Sequence, residues 1–303
     1  MTLTIGSMFS GTGGLDMAVE AVTGATPAWF CEWDEAPSRI LEHHWPGVPN
    51  YRDVTTVDWE SVPPVDIITG GYPCQPFSKA GQRKGTHDDR HLWPHVREAI
   101  RHLRPRFALL ENVAGHRSLG FDRVLGDLAE DGCNVRWTTL RASDVGAPHH
   151  RERLFILVIP ADSDSVGLEA ERCAGRPAPT IPGDYDGHSA LAWAGGTTDI
   201  MRDAHQRWGD SAPAILTWAL IHGEPPLPTR DTVRYHDEDL WGRRFPEPKP
   251  ELDPAWSEWM MGLPQGWVAS VPGVTRAQQL KAIGNGVVPQ QAAAALRHLL
   301  GDQ

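Results

Sequence analysis

A cysteine stands between two prolines in the stretch GGYPCQPFSKAG, Gly70 to Gly81. Pro73 fixes the backbone ahead of Cys74 and Pro76 stiffens the exit, so a loop would present the thiol at a set angle. A thiolate there could add to an electrophilic carbon, provided its pKa is lowered or a positive group lies near. The competing reading is a cysteine buried in a turn, and the polar neighbours Gln75, Ser78 and Lys79 speak against it. A second chemical group follows in ENV, residues 111–113, at the end of an apolar run. A partly desolvated Glu111 could keep or deliver a proton, although a lone glutamate more often serves as a cap or loop acid. GAPHHRERLFIL then sets Arg151 and Arg153 at strand spacing, which would turn both to one face. Such a pair suits a carboxylate, a phosphate or a base oxygen.

A candidate ligand site stands near the N-terminus. FSGTGGLD puts a glycine-rich turn between a first strand and a first helix, where backbone can approach a ligand closely. Glu32 lies 18 residues after Gly14, a spacing at which an acid can bond ribose hydroxyls, and Trp33 beside it could stack on a purine. Taken alone, the glycine run serves a cofactor site or a plain tight turn equally well. It lacks the third spaced glycine of the dinucleotide fingerprint, which favours another adenosine-bearing cofactor.

These groups need strand ends to hold them. Residues 2–9, PAWFCEWD, VDIITGG, FALLENV, VRWTTLRAS and ERLFILVI read as strands; residues 15–22, DEAPSRILEHHW, 91–104 and FDRVLGDLAEDG read as helices. That alternation predicts a parallel, helix-covered sheet. In such a sheet ligands bind beyond the carboxyl ends of the strands, so Cys74 and Glu111 can share one cleft. The pattern breaks over residues 161–250, rich in Pro, Gly, Asp and Arg, where SAPAILTWALIHG is the one convincing helix. Trp193, Trp208, Trp218 and Trp241 favour a small folded domain there over a disordered insert. AWSEWMMG and a terminal helix, VPQQAAAALRHLL, restore order.

The totals exclude several classes. The 303 residues suffice for one large domain plus a small one. No apolar run approaches a membrane span and the N-terminus lacks the pattern of a secretory signal, so a soluble cytoplasmic protein without a membrane partner is expected. The four cysteines, Cys31, Cys74, Cys133 and Cys173, are scattered without a CxxC pair. His43–His44 and His149–His150 find no carboxylate or cysteine to complete a set, so no metal is expected. The net charge of −11 argues weakly against nucleic acid. Yet Lys79, Arg83, Lys84, Arg90, Arg97, Arg101, Arg104 and Arg106 fall in one stretch after the cysteine loop.

The order FSGTGG, an acid after the second strand, PCQ, ENV, a paired-arginine strand, a variable region and a terminal AIGNGVVPQQ resembles the DNA (cytosine-5) methyltransferases that use S-adenosylmethionine. The resemblance covers roughly residues 3–158 and 253–300. It implies a doubly wound, Rossmann-like α/β methyltransferase sheet with one antiparallel strand. The catalytic and cofactor-binding domain would occupy 1–160, an inserted target-recognition domain 161–252, and a return to the catalytic domain with its C-terminal helix 253–303. Phe9, Gly11, Gly13 and Gly14 would line the methionine side of the cofactor. Glu32 would hold the ribose, Trp33 would pack on adenine, Asp53 would meet the adenine amino group with Val54 beside the ring, and Pro73, Leu92, Asn285 and Val287 would complete the pocket. Cys74 would be the nucleophile, Glu111 would contact the cytosine ring nitrogen and amino group, Arg153 the base oxygen, and Arg151 would orient the site. Gln75, Ser78, Lys79 and Arg83 would meet DNA, with the basic run along the cleft.

Two departures from the family pattern are His149, where many members have glutamine, and Gly286, where many have serine. The implied activity is methylation at C5 of a cytosine flipped from double-stranded DNA. A cognate restriction endonuclease could share the site, and the chain is expected to be a monomer in a bacterial or phage-infected cell. An RNA cytosine, or a modified group from a derivative cofactor, stays open as an alternative.

Overall fold

The first four strands are short and apolar, and each is followed along the chain by an α-helix. β1 (Thr4–Met8) leads to α1 (Gly14–Thr23), β2 (Thr26–Cys31) to α2 (Glu35–His44), β3 (Ile67–Gly70) to α3 (Trp93–Leu103), and β4 (Phe107–Val113) to α4 (Phe121–Glu130). β5 (Cys133–Leu140) and β6 (Arg153–Pro160) follow without an intervening α-helix. The computed structural model describes residues 2–73, 92–161, 197–235 and 246–301. The sheet order is β2-β1-β3-β4-β6-β5. β1 pairs in parallel with β2 and β3, and β3 with β4. β6 runs antiparallel to both β4 and β5, so it alone is reversed, as expected from the sequence. The order reverses between β1 and β3, and the crevice beyond their carboxyl ends is where an open α/β sheet takes its ligand.

Both faces of the sheet are covered, which is why the strands read as near-continuous apolar runs. On one face Ile5, Ile67, Leu109 and Leu157 pack with Leu15 and Val19 of α1 and with Ala292 and Leu296 of α9 (Pro289–Leu300). On the other, Ile68, Leu110 and Ile156 pack with Val96 and Ile100 of α3 and Val124 and Leu128 of α4. A third apolar cluster joins α2 to the return segment through Ile40, Val268 and Ile283.

Residues 197–252 hold more order than their composition suggests. α5 (Thr197–Trp208), α6 (Ala212–His222) and a two-stranded antiparallel ribbon of β7 (Thr229–Tyr235) with β8 (Pro246–Leu252) lie there. Only α6 was expected. β8 reads PEPKPEL, and proline inside a run normally argues against a strand. Its prolines fall at alternate positions, 246, 248 and 250. Backbone N–H groups on one strand alternate between partner and outside, so all three missing donors can fall on the outer edge. The ladder survives and the free edge is left with few donors for another chain. α6 is tied to α7 (Pro254–Met260) by Trp218 Nε1 donating to the Trp259 carbonyl at 2.8 Å and Trp259 Nε1 to that of Gly223 at 3.1 Å. Trp193 and Trp241 lie outside the described residues.

α8 (Arg276–Asn285) was also missed, although its signal was present. Thr275 accepts from the Gln278 backbone while the Gln278 side chain accepts from Thr275, the reciprocal T-x-x-Q cap. The basic run needs a correction. Arg97 bonds Asp127, Glu130 and Asp131, Arg101 reaches Asp131, and Arg106 pairs with Asp66 ahead of β3, at the end of the sheet away from the crevice. The described arginines of that run are therefore ties between α3, α4 and the sheet.

Candidate active site

The glycine loop leaves β1 in a conformation few side chains tolerate. Phe9 has φ +53°, Gly11 +57° and Gly13 +79°, so the strand expected to run through residue 9 ends at Met8. Around Gly11 a Cβ would meet nothing within 4 Å, so the loop backbone faces open space. Gly13 and Gly14 stand behind it. A Cβ on Gly13 would strike the Trp45 ring, and one on Gly14 would run into the Val287 carbonyl. These two glycines let α1 close onto α2 and the return segment. Trp267 supports the loop from outside: its Nε1 donates to the Thr12 carbonyl at 2.8 Å and its ring stacks on His44 at 3.5 Å.

Glu32, just past β2, is buried. One carboxylate oxygen accepts from Gly11 N and the other from Asp34 N, both at 2.8 Å. Burial raises its pKa, and these two N–H donors pull the other way. Asn50 accepts from Glu32 N at 3.0 Å and fixes the turn. Trp33 is 69% exposed at the rim. Asp53 is also at the surface; one oxygen is engaged by the amide and hydroxyl of Thr55, which lower its pKa. Phe9, Glu32, Trp33, Asp53 and Val54 share a cavity of about 640 Å³ with Pro73 and Leu92.

A narrower recess of about 40 Å³ adjoins it, sharing Phe9. Gly11, Asn285, Val287, Ser7, Thr69 and Glu111 line it. Glu111 sits near the end of β4, paired in register with Phe155 of β6. Its Oε1 meets Arg153 Nε at 2.8 Å. Burial raises the Glu111 pKa, opposed by the guanidinium groups of Arg153 and Arg151. The other oxygen lies against Gly71, on the chain that leads toward Cys74.

Arg151 and Arg153 do not share a strand face. β6 begins at Arg153, and Arg151 has φ +23°, outside strand geometry. The Arg151 guanidinium instead donates to the carbonyls of Gly284 and Gly286 at 2.9 and 2.7 Å. It holds the turn between α8 and α9 that carries Asn285 and Val287. Burial and Arg153 push its pKa down to about 10. His149 bonds the Met260 carbonyl at 2.9 Å, securing α7.

Two supporting residues were missed. Asn112 Nδ2 donates to the Tyr72 carbonyl at 3.0 Å, fixing the peptide two residues before Cys74. Gln291 Nε2 donates to the carbonyls of Leu140 and Arg151 at 2.8 and 2.9 Å. Asn112 was visible as the centre of ENV; Gln291 had no signal beyond being a polar residue on an apolar helix face. Cys74, Gln75, Ser78, Lys79 and Arg83 lie outside the described residues. Among the described residues no three His, Cys, Asp or Glu side chains could hold a metal, and no helix is long and apolar enough to cross a membrane.

Comparison with known proteins places the class. The family profile of the C-5 cytosine-specific DNA methylases matches residues 3–181, and the chain belongs to that family. The type II methyltransferase M.NgoBI of Neisseria gonorrhoeae is 35% identical over 155 residues, 50% of this chain and 48% of that protein. M.HgiCII of Herpetosiphon aurantiacus is 32% identical over 160 residues, 50% of this chain and 36% of that one. The matches thus span less than half the length of either relative. The fold is shared with the Dnmt2 methyltransferase of S. pombe, with TM-score 0.61, 16% identity and 98% of both chains covered. A protein encoded within an E. coli prophage shares it too, with TM-score 0.58, 18% identity and 99% of both chains covered.

Proposed function

We propose that this protein transfers a methyl group from S-adenosylmethionine to C5 of a cytosine flipped out of double-stranded DNA at a specific short sequence. The observation that carries the reading is the Glu111–Arg153 pair. It presents a desolvated carboxyl of raised pKa in a recess that joins the glycine-loop cavity. The residues present suit the cofactor. The open space over Gly11 accepts close backbone approach, Glu32 and Asp53 are acceptors for hydroxyl and amino groups, and Trp33 and Val54 offer surface to an aromatic ring. When bound, S-adenosylmethionine supplies an electrophilic methyl group.

The remaining chemistry belongs to the chain. C5 of cytosine is a poor nucleophile, and addition of the Cys74 thiolate at C6 makes it enamine-like. Glu111 gives a proton at N3 and so assists that addition. Arg153 orients Glu111 and meets the base oxygen; Arg151 keeps the Gly284–Gly286 turn against the recess. Once C5 carries the methyl group, loss of its proton and elimination of Cys74 restore the ring. A stacked base is out of reach of these groups, so the cytosine must leave the duplex.

Residues 161–252 would read the target sequence, and a restriction endonuclease of the same specificity is a fitting partner for a monomeric enzyme of this kind. The test is nucleoside mass analysis of unmethylated DNA incubated with protein and S-adenosylmethionine. New 5-methyldeoxycytidine at one short site is expected, and exchanging 161–252 for another member's segment should move that site. No product, or product only on RNA, would overturn the DNA reading.

A further inference from the structure

Asp16 is a carboxyl that the proposed reaction does not use, and it is fully buried. Thr69 Oγ1 donates to one of its oxygens at 2.5 Å, and Ser7 Oγ to the other at 2.9 Å. Among the described residues no cation pairs with it. Ser7 and Thr69 both line the small recess beside Glu111. A methyl donor lying in the large cavity must present its sulfur toward that recess, because Glu111 marks where the base sits. The two residues whose hydroxyls bond Asp16 therefore also line the recess toward which the sulfonium would point.

The hydrogen bonds around Asp16 are complete in either protonation state. Ser7 Oγ lies 2.8 Å from Ser10 Oγ, which is itself 3.2 Å from the Ser7 carbonyl. With Asp16 ionised, Ser7 donates to it and Ser10 donates to Ser7 Oγ. With Asp16 protonated, Asp16 donates to Ser7 Oγ, Ser7 donates to Ser10 Oγ, and Ser10 donates to the Ser7 carbonyl. Reversing the donors along the chain leaves no buried group unsatisfied. Burial pushes the Asp16 pKa up to about 7, so both states are populated near neutrality. Of the charged groups around it, Glu20, one turn along α1, acts in the same direction as burial and is itself held by Trp45. β1 and β3 face it with Ser7 and Thr69, and the buried residues of α9 carry no titratable group.

Resting on the cofactor reading above, we propose that Asp16 is a positioning residue that senses the cofactor's charge: it ionises when the sulfonium binds and protonates when the neutral thioether product replaces it. The ionised state favours the donor and the protonated state favours release of the product. A cation brought near a buried carboxylate stabilises its charged form, and linkage requires that form to tighten the cation in return.

The test is titration calorimetry of the whole protein with S-adenosylmethionine and with S-adenosylhomocysteine. Each is run from pH 6 to 8 in phosphate and in Tris, whose ionisation heats differ. Donor binding should release more protons than product binding, and the donor-to-product affinity ratio should rise about tenfold over that range, within the usual span of such couplings. Glu111 lines the same recess, so Asp16→Asn assigns the proton: the ratio should become flat with pH and the extra release should vanish. The wild-type measurement stands even if that variant folds poorly. Equal proton release for both ligands, or an unchanged pH trend in a folded Asp16→Asn, overturns the inference alone. Binding of neither ligand overturns the cofactor reading together with it.

Discussion

The large cavity and the recess beside it each hold a desolvated carboxyl group, and the two are held in opposite ways. Glu32 is satisfied by two backbone N–H groups, from Gly11 and Asp34. Glu111 is satisfied by a side chain, the Arg153 guanidinium, with its second oxygen left toward the loop that leads to Cys74. Burial raises both pKa values. The difference lies in what each can give up. Backbone donors on both oxygens fix Glu32 as an acceptor and lock it to the glycine loop, which suits holding a ligand in place. Among the described residues a single ion pair leaves Glu111 one oxygen that can carry and deliver a proton.

Substitution by glutamine should separate the two roles. Glu111→Gln removes the acid and should lower kcat by about 10²- to 10⁴-fold, with cofactor affinity, followed by calorimetry, nearly unchanged. The sign of its pH effect follows from the raised pKa. A proton donor works below its pKa, so the wild-type rate should fall as pH rises through that value, and the glutamine variant should lose this alkaline limb. A variant that keeps both its rate and its limb would remove Glu111 from the chemistry. Glu32→Gln should do the reverse. An amide offers one acceptor oxygen, so one of the two N–H donors is left facing an NH₂ group, at a cost on the order of 1–3 kcal/mol. Cofactor affinity should fall by about 10- to 100-fold, with kcat at saturating cofactor little changed; a large loss of kcat instead would erase the contrast.

How far the sequence reached follows the same division. The sheet was legible because its strands are buried on both faces and read as apolar runs, and the residues at their ends were legible because short motifs mark them. What failed was local geometry under tertiary control. Arg151 and Arg153 have strand spacing, but the chain turns at Arg151, where Gln291 holds its carbonyl and its guanidinium reaches across to Gly284 and Gly286. Contacts between residues more than 130 positions apart leave no mark in spacing. β8 was hidden by prolines whose alternation, not their number, decides whether a ladder forms. Asp16 was read only as the end of a glycine motif, since nothing in a sequence says that a carboxyl will be enclosed by two hydroxyls.

The rim gives the finest test of the contrast. Trp33 is next to Glu32 in sequence yet 69% exposed, so it has little packing to lose. Arg52, which donates to the Trp33 carbonyl at 2.9 Å and pairs with Glu35 at 3.1 Å, fixes the backbone at that point rather than the ring. Trp33→Ala should therefore leave the melting temperature nearly unchanged. Stacking of one ring on another is worth about 0.5–1.5 kcal/mol, so cofactor affinity should weaken by roughly 2- to 10-fold. The same variant should not change kcat at saturating cofactor, because Trp33 lines the large cavity and not the recess. A fall in kcat with affinity intact would mean that the rim takes part in closing the site over the base, and the two would no longer be separable.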